Sequence, residues 1–75
     1  MKKEIIELAA NVMRIPVEKA QEHFKEIDGM NAYYFWNPIR GGIAVIINDD
    51  GEKLAATSSV SYGDHLKAFQ AGRRN

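Results

Sequence analysis

Five consecutive apolar residues, Ile43-Ala44-Val45-Ile46-Ile47, run directly into Asn48-Asp49-Asp50-Gly51. A strand alternates its side chains between two faces, so an apolar run of this kind needs cover on both sides of a sheet. The four residues that follow read as a type I turn closed by a glycine in the left-handed region, a three-residue hairpin loop. Glu52–Thr57 then returns as the neighbouring antiparallel strand. If Asn48 pairs with Glu52, Ile46 lies opposite Leu54 and Ala44 opposite Ala56, and that face reads as the core. Ile43, Val45 and Ile47 share the other face with Lys53, Ala55 and Thr57, where cover is expected to be missing.

A second run, Tyr33-Tyr34-Phe35-Trp36, holds four of the seven aromatic residues and the only tryptophan. Read as a strand, it sends Tyr33 and Phe35 one way and Tyr34 and Trp36 the other, and the residues alone do not say which pair enters the core. Asn37-Pro38-Ile39-Arg40-Gly41-Gly42 follows, with the glycines placed for a tight strand entry or bulge.

Helical spacing dominates both ends. Ile5, Leu8, Ala9 and Val12 recur as a stripe that Ile6 and Met13 widen. Pro16 ends that helix and opens the next, whose seam is Val17, Ala20, Phe24 and Ile27, with Gly29 placed to terminate it. Ser61 and Asp64 form a capping-box pattern before Tyr62, Leu66 and Phe69, and Gly72 closes this last helix. The expected fold is therefore α+β: two N-terminal helices, a three-stranded antiparallel β-meander and a C-terminal helix. Residues 1–75 form a single small domain, with residues 73–75 as a frayed basic tail.

Seventy-five residues without cysteine must be held by the core alone, at about 4–11 kcal/mol of net stability. Ten basic residues balance ten acidic ones, so no net field steers the chain toward nucleic acid or anionic lipid. No apolar stretch approaches the roughly 18 residues of a membrane span, and Glu4 and Glu7 interrupt any signal-peptide pattern after Lys2 and Lys3. A cytoplasmic protein is expected.

The chemistry-bearing residues have plain structural readings. Ser61, Asp64 and His65 sit within one helical turn, whereas hydrolytic triads are assembled from separated elements. His23 and His65 each flank an apolar stripe, and neither brings the further ligands that a metal requires. Asp49, Asp50 and Glu52 lack the spacing of a calcium loop, and Gly41-Gly42 lacks the lysine of a phosphate loop. The exposed positions of the second helix carry Glu18, Glu22 and Glu26 against Lys19 and Lys25, which disfavours reading of DNA. No catalytic residue, metal or cofactor is expected, and the chain reads as a non-enzyme.

Two readings remain. Tyr, Trp and Arg are the residues most enriched in interface hot spots, so Tyr34, Trp36, Arg40, Gly41 and Gly42 form a candidate surface for another protein or for a second copy in a homodimer. The alternative is a weak single-stranded nucleic-acid binder stacking bases on the same aromatics. The stretch NDDGEKLAATSSVSYGDHLKAFQAGRR, from Asn48 to Arg74, resembles a pattern met in small uncharacterised bacterial and prophage proteins, in which a D-G hairpin leads through a Ser-rich cap into an H-x-x-x-F-x-x-G helix. The layout of helices around a three-stranded meander is similar to that of some small phage-encoded anti-CRISPR inhibitors. That resemblance implies a phage or mobile-element setting and an inhibitory interaction, and it assigns no functional residue.

Overall fold

The computed structural model describes residues 1–75. In chain order the elements are α1 (Lys3–Met13), α2 (Val17–Glu22), β1 (Phe24–Ile27), β2 (Ala32–Phe35), β3 (Ala44–Asn48), β4 (Lys53–Ala56) and α3 (Tyr62–Gln70). The class is α+β, but the sheet has four strands rather than three, in the order β1-β2-β3-β4 with every neighbouring pair antiparallel.

The additional strand comes from the segment expected to finish the second helix. Phe24 and Ile27 are three residues apart, which places them on one ridge of a helix but on opposite faces of a strand. Paired with β2, Phe24 packs toward α1 and α2 while Ile27 enters the cluster beneath α3, so each residue completes a different core. Gly29 correspondingly lies in the β1–β2 hairpin loop at φ +78°, not at a helix end.

The β3–β4 hairpin follows the register read from its turn, with Ile46 opposite Leu54 and Ala44 opposite Ala56. Asn48 builds the loop. Its Oδ1 accepts from the Asp50 N–H at 3.0 Å and the Glu52 N–H at 2.9 Å, while Gly51 sits at φ +85° and donates to the Asn48 carbonyl at 3.0 Å. An asparagine oxygen thus satisfies two loop donors that a reversal otherwise leaves to water.

Both sheet faces are covered, and unequally. Ile5, Ile6, Ala9, Ala10 and Met13 of α1 join Ile15 and Ala20 over Tyr33, Phe35, Val45 and Ile47. Beneath α3 the buried apolar cluster is Phe69, Ile27, Ala32 and Ile46, with Leu54, Leu66 and Tyr34 packed alongside and the His65 ring buried beside them. The Val45/Ile47 face, expected to lack cover, is therefore the better covered one. The wide stripe of α1 needs a broad apolar floor, and Tyr33, Phe35, Val45 and Ile47 supply it. Burial of Phe35, which is fully enclosed, contributes about 1.5–3 kcal/mol.

The expected frayed tail is docked. The Asn75 backbone N–H donates to Lys53 O at 2.9 Å, and its carboxamide spans Ala55, accepting from the N–H at 2.8 Å and donating to the carbonyl at 3.0 Å. Arg74 lies 3.7 Å over the Phe69 ring and donates to the Phe69 carbonyl. The outward backbone groups of an edge strand need partners, and the amide of one asparagine imitates the strand that is not there. No helix is long and apolar enough to cross a membrane.

Candidate functional site

The two halves of the aromatic run have different fates. Tyr33 and Phe35 enter the α1 core, and the Tyr33 hydroxyl emerges at the edge to donate to Asp49 Oδ1 at 3.0 Å. That hydrogen bond, reinforced by desolvation and by the charges of Asp49 and Glu26, raises the Tyr33 pKa above the ordinary 10.0. Tyr34 faces α3, edge-on to Tyr62 at 4.6 Å between ring centroids and to His65 at 5.9 Å. Burial is the main cause of its own raised pKa. Trp36, just beyond the strand, stacks on Tyr34 at 6.2 Å and meets the edge of His23 at 5.9 Å.

The connection from β2 to β3 is built around Asn37. Its Oδ1 accepts from the Ile39 N–H at 2.9 Å, and its Nδ2 donates at 3.2 Å to both the Ile43 carbonyl and the Met13 carbonyl at the end of α1. Gly42 donates to the Ile39 carbonyl at 3.0 Å, closing a turn in which Gly41 holds φ +80°. A Cβ on Gly42 would collide with the Asn37 carboxamide. One glycine supplies a left-handed backbone and the other makes room for the residue that organises the loop. Their role is to hold the neighbours in place.

Around this loop the structure brings together all five residues selected from the sequence. Tyr34, Trp36, Arg40, Gly41 and Gly42 line one open cleft of about 420 Å³, joined by Ile39, Thr57, Ser58 and Val60. Apart from Met1, the exposed large apolar residues are Trp36 (37%), Ile39 (61%), Ile43 (38%) and Val60 (39%), and all four lie at this end of the sheet. Ile39 also borders the two adjoining clefts. Sequence reasoning missed Ile39, Ile43 and Val60. An isolated apolar residue between proline and Arg-Gly-Gly was a signal for Ile39, whereas Val60 arrives only because β4 ends beside this loop.

The remaining candidates have structural partners. Ser61 Oγ accepts from the Asp64 N–H at 3.2 Å, as a helix cap does. The ring of His65, 2% exposed, donates from Nε2 to the Leu54 carbonyl at 2.6 Å, which ties α3 to β4. His23 donates from Nδ1 to the Lys19 carbonyl at 2.7 Å. No three His, Asp or Glu side chains converge as a metal cage. A cleft of about 520 Å³ lies between the start of α1 and the Asp49–Gly51 turn, larger than the loop cleft. Its Asp49 is engaged by Tyr33 and it carries none of the four exposed apolar side chains, so the loop end is the stronger candidate. Compared with known protein families, curated proteins and solved structures, the chain matches none.

Proposed function

We propose that this protein is a non-enzymatic interaction module whose working surface is the Trp36–Ile43 end of the sheet. The observation that carries the reading is the gathering of Trp36, Ile39, Ile43 and Val60 around a loop braced by Asn37. Scattered exposed apolar residues need no explanation, but a cluster bordered by polar groups on a hydrogen-bonded loop is the composition of a protein-binding surface. A pre-formed loop also loses little conformational entropy on docking, so more of the contact energy appears as affinity. Inhibition by occupying another protein's surface suits such a module; the layout resemblance that suggested it assumed three strands, and the sheet has four.

The test is selection of displayed random peptides on the immobilised protein, followed by ¹⁵N chemical-shift mapping. Selected peptides should perturb the Trp36 indole and the Ile39–Gly42 amides, and Ile39→Asp should abolish binding without lowering the thermal midpoint. Trp36→Ala should cost only about 1–2 kcal/mol, below the 3–5 kcal/mol typical of an enclosed tryptophan. A larger loss, with no peptide selected above background, would return the aromatic run to core packing alone.

A further inference from the structure

Zero net charge conceals an uneven distribution. In an antiparallel meander the β1–β2 and β3–β4 hairpin loops share one end of the sheet and the β2–β3 connection occupies the other. The hairpin end carries Asp28, Asp49 and Asp50, with Glu4 and a single lysine, Lys2, lining the cleft beside them, and the two loops are joined there by the Asp49 N–H donating to the Asn31 carbonyl at 3.0 Å. The loop end is the reverse. None of the three clefts around Ile39 is lined by an aspartate or glutamate, whereas Arg14, Lys19 and Arg40 all border them. Lys19 pairs with Glu22, but neither Arg14 nor Arg40 has an acidic partner.

Arg14 also stands where the backbone favours another residue. It closes α1 at φ +59°, with its N–H on the Asn11 carbonyl and the Ile15 N–H on the Ala10 carbonyl. Helix α3 closes with the same pair of bonds around Gly72 at φ +96°. The fold thus uses glycine at one such helix end and tolerates a left-handed arginine at the other, beside the exposed Ile43.

We infer that the partner is a foreign protein offering an acidic segment: an apolar side chain for the Trp36–Ile39–Val60 cleft, flanked by carboxylates for Arg40 and Arg14. The inference rests on the reading of this end as a protein-binding surface. A two-fold homodimer through the same surface would bring two sets of unpaired arginines into one interface, with no carboxylate lining either copy's clefts to pair them. Nucleic acid matches the charge but offers no aliphatic partner to Ile39, Ile43 and Val60, and Trp36 already has one ring face on Tyr34.

The experiment titrates the ¹⁵N-labelled chain with short peptides sharing a Leu-Phe anchor flanked by Glu, by Ser or by Lys, and with oligothymidylate. The Glu-flanked peptide should bind at the Ile39–Gly42 amides, weaken as salt is raised, and lose about tenfold or more in affinity against Arg40→Ala, the effect of one charge-assisted hydrogen bond. Arg40→Glu should transfer the preference to the Lys-flanked peptide. Equal binding of all three peptides at this site would overturn the acidic partner and leave the protein-binding surface standing. Absence of any peptide-induced shift would overturn both. Oligothymidylate binding tighter than every peptide would replace the protein by a single strand, and concentration-dependent sedimentation with no peptide bound would replace it by a second copy.

Discussion

At the scale of single residues, several positions are explained by one bond or one torsion. Arg14 carries the clearest cost. A left-handed torsion disfavours a residue with a Cβ by about 1–2 kcal/mol, so Arg14→Gly should raise stability by about 1 kcal/mol in urea unfolding. The same variant should weaken the acidic Leu-Phe peptide, separating stability from binding. Tyr33 gives a pH dependence whose sign follows from its partner. Its folded pKa is raised, mainly by the hydrogen bond to Asp49, so the native state holds that proton more tightly than the unfolded chain does. The contribution is complete below pH 10.0 and is lost as pH climbs through the higher folded value. Alkaline unfolding followed by circular dichroism should therefore show stability falling above that pH, and Tyr33→Phe should flatten the slope.

At the scale of elements, the sheet has two edges protected by different means. Strand β1, at one edge, carries the exposed charges of Lys25 and Glu26 on its two faces, with Lys25 Nζ 4.0 Å over the Tyr62 ring, and charged side chains on an edge strand discourage pairing with another chain. Strand β4 is closed instead by the amide of Asn75 and the stacked Arg74. Asn75→Ala should cost at most about 1 kcal/mol, since the freed groups of Ala55 regain water, but the Ala55 amide should exchange with deuterium markedly faster. Unchanged exchange at Ala55 would mean that the tail does not hold this edge in solution.

For the whole molecule, the governing fact is two cores of unequal size on one thin sheet. The α1 side buries eleven residues in its cluster and the α3 side four. Opening free energy follows the apolar contact that must be broken, so α3 should detach before α1 and the central strands do. Native-state hydrogen exchange should report a lower opening free energy for the α3 amides than for those of β3, and Phe69→Ala should lower the α3 value first. Equal values for α1 and α3 would show that the two layers open together. The covering of both faces also confines the exposed apolar surface to one end, because no broad sheet face is left open to receive a partner.

Local chemistry determined the elements whose bonds are short-range. The Asn48–Gly51 turn, the Ser61 cap, the Gly72 stop and the register of Ile46 on Leu54 all follow from residues within a few positions of each other. The α+β class was legible for the same reason, and the five residues picked from the sequence share one cleft because they lie on one short stretch of chain. Tertiary structure alone decided the rest. Phe24-Lys25-Glu26-Ile27 suits a helix or a strand by its spacing, and the need of β2 for a second neighbour, with a core on either face, settled it as a strand. The fate of each aromatic pair, the placing of Val60 and Arg14 beside the loop, and the docking of Asn75 on β4 depend on contacts between distant segments. Alternation in a strand says only that neighbouring side chains part; which face is buried is set by the layer that packs there.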